Sequence, residues 1–317
     1  MGTTYNITVG GGEPARLKNN IDQLLVDINQ EVSTYIDSSS ISMFNKADKE
    51  WEIQDTGNRF HTNEHFRKNF DAAKKIYAAT EGAFDPTIMP LVNYWGFGYT
   101  PQQKVTAVDS QKVAKLVKTV GFDKVNSQFF EKEKKVKIVK ENPGSQLDFS
   151  AIAKGYGVDA VAKLIEKEGI TDYFVEIGGE TRVKGKNPDA NPWRVGINTP
   201  KDNVSTQEIY SIVELQDNAI ATSGNYQNFH IVDGQKYGHT INPQTGFPEI
   251  NTTLSASVIA TDCMTADAYA TAFMTMGHVK AMQIVAANPE LEAYLIYAKA
   301  DGSMAAAASA GMAKFLK

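Results

Sequence analysis

The sequence has a single cysteine, Cys263, in 317 residues, so it forms no intramolecular disulfide and has no cysteine cluster for a metal. It also lacks a basic excess: 32 Lys and Arg stand against 37 Asp and Glu, a net charge of −5. That balance is the opposite of a nucleic-acid binder's footprint, and no nucleic-acid partner is expected. No apolar run approaches the length of a membrane span. The lone Cys263 lies in the apolar run "SASVIATDCM" and reads as a small buried hydrophobe rather than a reactive thiol. "HTNEH", with His61 and His65, is not H-E-x-x-H and reads as a surface helix start, while His230 and His278 have no context.

The residues present describe an ordinary folded chain. Apolar residues make up 42% and charged residues 22% of it, and the length suits one large domain or two closely joined ones. Apolar spacing predicts an amphipathic helix over "ARLKNNIDQLLVDINQEVSTY" and a second over 64–79, ended by Gly82. Helices are also expected over 109–119, after "LDFSAIAKGYGVD", and from an N-cap at Asp262 towards Gly277. Alternating segments predict strands at 3–9, within "FFEKEKKVKIVKENPG", in "TDYFVEIGGETRVKG" and in "WRVGINTP". "YSIVEL", "NAIATSG" and "NFHIVDG" are expected to continue that sheet, with further strands at "TLSASVIA" and "EAYLIYA" before a small-residue tail. The lysines around Val136 and Ile138 are expected on a solvated strand face. Strands in runs between helices indicate an α+β fold, with mixed or antiparallel sheets and flanking helices.

Four places have residues suited to chemistry. In "DCMTADAYATAFMTMG", Asp267 and Thr271 are four apart and share a helix face, hard oxygen donors suited to magnesium rather than zinc. The same spacing is open to a second reading, with Thr271 bonding to its own helix and Asp267 facing water. In "LDFSAIAKGYGVD", Asp148 and Asp159 flank Lys154, a point charge for phosphate, and Gly155 and Gly157 allow close backbone approach. A helix N-terminus with a chance lysine reads equally well, because the order is not that of a phosphate-binding P-loop. In "GQKYGHTINPQTGFPEI", His239 is a candidate acid or base or a structural strand histidine. In "VEIGGETRVKGKN", Gly178 and Gly179 end a strand before Glu180, and the absence of G-x-G-x-x-G argues against a dinucleotide fingerprint. Trp95, Phe97 and Tyr99 suit either stacking on a planar ring or core packing.

Taken in order, nine segments resemble one family, the ApbE family of FAD:protein FMN transferases. They are "MGTTY", "STYIDSSSISMFN", "EGAFDPTIMPLVNYWGFG", "LDFSAIAKGYGVD", "VEIGGETRVKGKN", "PWRVGINTP", "AIATSGNY", "HTINPQTGFP" and "DCMTADAYATAFMTMG". The likeness covers nearly the whole chain, and implies one ApbE-like domain over 1–317, with two intertwined subdomains forming a flavin-binding cleft. The implied activity is magnesium-dependent transfer of FMN from FAD to a Thr or Ser hydroxyl of an acceptor flavoprotein, releasing AMP. Hydrolysis of FAD to FMN and AMP is the alternative within the family, and non-catalytic FAD binding the alternative outside it. By resemblance, Asp267, Thr271 and the backbone carbonyl of Ala151 hold Mg2+. Met1, Asn45, Ala83, Phe84, Asp85, Asp148, Lys154 and Ile241 contact FAD, with Glu180 placed alongside them, and His239 is the general base. The position of Asn45 varies between amide and aromatic residues in the family. Asn242 stands where many members have Asp and is given no catalytic role. The implied partners are acceptor subunits of membrane redox complexes with a Ser/Thr flavinylation loop. The implied location is periplasmic or otherwise extracytoplasmic, with a lipid anchor in the full-length protein.

Overall fold

The computed structural model describes residues 2–12, 14–54, 64–98, 107–130, 132, 135–201, 208–225, 229–232 and 235–317. Tyr99, His61 and Met1 therefore lie outside the described residues. The chain folds into two compact units: one comprises Leu25–Ala153 and Phe229–Glu249, and the other Gly2–Leu24, Lys154–Asn228 and Ile250–Lys317.

The second unit is built on a seven-stranded antiparallel sheet. Its strands are β1 (Tyr5–Val9), β5 (Tyr173–Ile177), β6 (Glu180–Lys184), β9 (Ala219–Gly224), β12 (Thr253–Ala260), β13 (Glu292–Ala298) and β14 (Met304–Ala308), in the order β1-β5-β6-β9-β12-β13-β14. β5 and β6 form a hairpin whose two turn residues, Gly178 and Gly179, both have positive φ (63° and 106°). This is the conformation that a two-residue hairpin turn requires and that glycine adopts without strain. The expectation that Glu180 follows a glycine-made strand end is met, and Glu180 becomes the first residue of β6.

Register assigns the faces of this sheet. Arg182 pairs with Ala219, Ala221 with Val258 and Ser223 with Ala256, so these residues share one face, together with Glu180 and Lys184, which alternate with Arg182. Helix α6 (Ala153–Lys167) bonds this face from β6, and α7 (Cys263–Ala287) packs on β9 and β12. The opposite face carries Val183, Ile220, Ile259 and Ile296, packed on Trp193, Ile197, Val213 and Leu215. Those four come from a two-stranded ribbon, β7 (Trp193–Asn198) and β8 (Ile209–Leu215). β12 is thus covered on both sides, which explains why "TLSASVIA" is nearly continuous in buried residues rather than alternating.

α7 starts where the sequence places it. Asp262 accepts from the amide of Thr265 at 2.8 Å, satisfying one of the unpaired N–H groups of the first turn. The helix does not end at Gly277 as expected. It breaks there (φ 78°) and resumes to Ala287. Asn251 Nδ2 donates to the carbonyls of Met274 (2.8 Å) and Thr275 (3.4 Å), satisfying groups left by the break.

The first unit contains a three-stranded sheet, ordered β2-β4-β3, from β2 (Glu50–Gln54), β3 (Val125–Phe130) and β4 (Lys135–Lys140). Helices α2 (Ser40–Lys46), α3 (Glu64–Ala79), α4 (Met89–Tyr94) and α5 (Ser110–Val117) accompany it. α3 matches its predicted span. Helix α1 (Leu17–Val32), also as expected, begins in the second unit and ends in the first. β10 (Phe229–Val232) and β11 (Gln235–Gly238) form a ribbon of their own. "NFHIVDG" and "YSIVEL" therefore do not continue the main sheet: only "NAIATSG" joins it. The charged strand β4 also departs from expectation at one end. Lys137 pairs with Glu50 at 3.0 Å on an exposed face, but Lys140 is buried, donating to the Ser145 carbonyl at 3.1 Å with its ammonium 4.6 Å from the Phe44 ring centroid. The tail is not featureless either, since its alanine run forms β14 at the sheet edge.

Candidate active site

The chemistry-bearing residues of the second unit meet where α6 and α7 begin. Gly155, in the first turn of α6, lies against the backbone of α7: a Cβ there would stand 2.3 Å from the carbonyl oxygen of Cys263. This close approach brings the Gly155 amide within 3.0 Å of Asp267 Oδ2, to which it donates. Asp267 is buried, so the reading that left it facing water is excluded. Asp159, one helical turn beyond Gly155, accepts from the amides of Cys263 (3.0 Å) and Met264 (2.9 Å). It thus joins α6 to the N-terminus of α7, and Arg182 on β6 donates to it at 2.7 Å. Cys263 is fully buried as expected, and burial raises its thiol pKa well above the usual value.

Lys154 donates to Oε1 of Glu180. Burial works to lower the lysine's pKa, but the charges of Asp267 and Glu180 outweigh it and the pKa is raised. Burial and the nearby Asp267 push the Glu180 carboxyl up to about 7, with Lys154 opposing. Burial likewise raises Asp267 against the pull of Lys154 and the Gly155 amide. Glu180 is 3% exposed, and its second oxygen, Oε2, is buried with no hydrogen-bond partner among the described residues. Thr271, one turn after Asp267 on α7, is 3.3 Å from Ser223 Oγ on β9.

No three His, Cys, Asp or Glu side chains converge on one point among the described residues. The donors at the α6–α7 start are carboxylate and hydroxyl oxygens, and one buried carboxylate oxygen is unpartnered. A hard divalent cation such as Mg2+ fits that set, completing its shell with waters and substrate oxygens.

In the first unit, Asp148 is half-buried and accepts from the amide (2.8 Å) and hydroxyl (2.9 Å) of Ser150. Burial raises its pKa. Ala151 lies in the turn that follows, whose Ile152 and Ala153 amides both donate to the carbonyl of Phe149. Asp85 accepts from the amide (2.8 Å) and hydroxyl (2.6 Å) of Thr87, and burial pushes its pKa up to about 6. Phe84 is buried beside it and Ala83 partly so.

Asn45 is buried, with its amide nitrogen donating to the Leu147 carbonyl (2.8 Å) and its oxygen accepting from the Leu147 amide (2.7 Å). It braces the segment just before Asp148. Ile241 is buried with Leu91, Trp95, Val113 and Val120. Trp95 is core, stacked on Tyr237 and donating to the Gly246 carbonyl at 2.8 Å. The His239 ring stands edge-on to Phe97, centroids 6.3 Å apart. Asn242 holds the turn after His239, accepting from the amides of Gln244 (2.9 Å) and Thr245 (3.3 Å) and donating to Glu249 (2.8 Å). Sequence reasoning passed over Tyr35, an aromatic ring 75% exposed just before α2. Its signal was available: it sits in "STYIDSSS", inside one of the segments that carry the resemblance.

A model of the ApbE family matches residues 1–295. An FAD:protein FMN transferase of Vibrio cholerae is 38% identical over 292 residues, covering 91% of this chain and 83% of that protein. One from Haemophilus influenzae is 32% identical, covering 98% and 88%. Among solved structures, the flavin transferase ApbE from Vibrio cholerae superposes with a TM-score of 0.85 at 37% identity, over 100% of this chain and 96% of that one. The apo flavinyl transferase ApbE of Pseudomonas stutzeri gives 0.83 at 28% identity, over 98% and 93%. The chain belongs to the ApbE family.

Proposed function

We propose that the protein is an FAD:protein FMN transferase that moves the FMN half of FAD onto a Thr or Ser hydroxyl of an acceptor flavoprotein, releasing AMP. The observation that carries this reading is the grouping of the half-buried Lys154 with the two buried carboxylates of Asp267 and Glu180 at the start of α6 and α7. Its place in a chain similar to named FAD:protein FMN transferases supports the substrate.

Asp267, Thr271 and the Ala151 carbonyl would hold Mg2+, which when bound supplies positive charge against the pyrophosphate. The chain's own groups then have defined tasks. Lys154 sets a fixed ammonium against phosphate oxygens, where negative charge develops as the acceptor oxygen bonds to the FMN-side phosphorus and the bridging bond to AMP breaks. His239 takes the proton of the attacking hydroxyl, a contribution of ~10²–10⁴-fold for a positioned base. Asp85, Asp148 and the segment at Ala83 and Phe84 contact the donor. Tyr35 offers an exposed ring for stacking on flavin or adenine, which Asn45, with both amide ends used by Leu147, does not. We place the acceptor among membrane redox subunits with a Ser/Thr loop, and the enzyme outside the cytoplasm on a lipid anchor.

The deciding experiment incubates the protein with FAD and Mg2+, with and without an acceptor carrying such a loop. Covalent flavin fluorescence on the acceptor together with AMP release is the expected result. AMP and FMN without labelled acceptor would make the protein an FAD pyrophosphatase, and intact FAD in both arms would make it a binder.

A further inference from the structure

Three ion pairs link α6 to β6. Glu166 accepts from Lys184 at 3.0 Å, Asp159 from Arg182 at 2.7 Å, and Glu180 from Lys154. The strand residues 180, 182 and 184 share one face, so the pairs form a ladder along the helix. Two rungs put the acid on the helix and the base on the strand. The third, at the N-terminal end of α6, is reversed.

That reversal works against local stability. A lysine in the first turn of a helix faces the positive end of its dipole, where an acid is favoured. Its partner is also poorly provided for: the Glu180 side chain is 4% exposed, and Oε2 has no hydrogen-bond partner among the described residues. Buried carboxylates ordinarily have their remaining lone pairs satisfied. A local rule broken on both sides of one pair, at the point where Asp267 is also buried, marks a functional arrangement.

We propose that Glu180 is a positioning residue of the flavin-transfer site, which holds Lys154 for the donor phosphates and supplies the second negative charge that admits a divalent cation. This rests on the function proposed above. With Glu180 and Asp267 ionised and Lys154 charged, the group has one negative charge in excess. Replacing Glu180 by a neutral isostere cancels that excess and frees Lys154 to pair with Asp267, in competition with the cation. Glu180 acts through Lys154 and Asp267 and need not touch the reacting atoms.

The test measures Mn2+ binding directly, from the free-ion electron paramagnetic resonance signal, on the full chain without FAD. E180Q is expected to weaken Mn2+ binding ~10-fold or more, as affinity for hard cations follows ligand charge count. K154M, which removes the competing ammonium, is expected to tighten Mn2+ binding and to raise the KM for FAD. E180D is expected to restore part of the affinity lost in E180Q. Should E180Q fail to fold, the direction of the K154M effect decides: weaker or unchanged Mn2+ binding refutes the proposal. Mn2+ affinity and FAD KM of E180Q equal to wild type would refute it as well. A wild-type chain that neither binds Mn2+ nor transfers FMN would instead overturn the underlying function.

Discussion

Gly155→Ala tests the central packing contact by adding a single carbon. The new Cβ would meet Cys263 O at 2.3 Å, Cys263 C at 2.7 Å and Met264 Cα at 2.8 Å, all backbone atoms with no rotamer to escape into. Ordinary contact begins at 3.4 Å, so the first turns of α6 and α7 must separate by about 1 Å. Alanine is the better helix former by ~1 kcal/mol, which opposes an overpacking cost of ~1–3 kcal/mol. Separation also stretches the Gly155–Asp267 bond (3.0 Å) and the two amides held by Asp159 (3.0 and 2.9 Å). Hydrogen bonds to charged groups are worth ~1.5–3 kcal/mol each, so weakening them dominates the balance.

The expected net loss is ~2–4 kcal/mol, a fall in Tm of roughly 5–10 °C for a unit of this size. Activity should fall further than stability. A displacement of ~1 Å between positioning groups costs on the order of 10²-fold in rate. Calorimetry gives the first quantity, and AMP release from FAD with Mg2+, measured well below the variant's Tm, gives the second. A variant with wild-type Tm and full AMP release would show that the two helix starts are not locked as described.

Further changes separate charge, base and ring. For Asp85, burial raises the folded pKa to about 6 from an ordinary 3.8. The folded state therefore holds the proton more tightly, and stability falls as pH rises through that window, by ~3 kcal/mol at 1.36 kcal/mol per unit. Asp85→Asn keeps an acceptor for Thr87 and removes the charge, so urea unfolding should show a gain at pH 7 and none near pH 3.5; an equal effect at both pH values would sink the argument. Asp267→Ala should abolish Mn2+ binding and AMP release, and unchanged activity after chelation and Mg2+ restoration would remove it from the metal site. His239→Ala should slow FMN transfer ~10²–10⁴-fold at neutral pH, and near-full transfer would refute its role as base. Tyr35→Ala should raise the KM for FAD with kcat nearly unchanged, the mark of lost binding common to ground and transition states; an unaltered KM would return the ring to the surface.

What sequence revealed about the fold followed periodicity. α1, α3 and the start of α7 were legible because apolar spacing and the Asp262 cap are local signals. β10 was legible as a strand but not as a member of a separate ribbon, since partner choice depends on residues far along the chain. Lys140 was misplaced because the solvated face was extended to every lysine of the segment, whereas alternation sets residue 140 on the buried face of Ile138. The Phe44 ring and the Ser145 carbonyl that accommodate its ammonium there lie beyond any local window. The break at Gly277 looked like an end because a glycine just past an apolar-periodic segment is a common helix stop. Here Asn251 takes over the exposed carbonyls, and it is 26 residues upstream.

The candidate site was legible in its residue types and hidden in its pairings. Asp267 and Thr271 could be placed on one face of α7 by arithmetic alone, and Lys154 could be noticed as a charge beside two glycines. Whether Asp267 faced water or protein depended on Gly155, 112 residues earlier, whose missing side chain lets its amide reach the carboxylate. Residue chemistry nominated Lys154 for phosphate and resemblance nominated it for FAD, and the structure adds that its present partner is Glu180, a buried acid with one oxygen unpartnered among the described residues. A sequence read along its length shows neither the ladder between α6 and β6 nor the inversion of its first rung, because that inversion exists only as a comparison among three pairs. The dipole does not separate the three, since Asp159 is mid-helix and Glu166, in the last turn of α6, opposes it as Lys154 does in the first. What sets the Lys154–Glu180 pair apart is the buried oxygen of Glu180, unpartnered among the described residues, and that is left to be explained by the chemistry of the site.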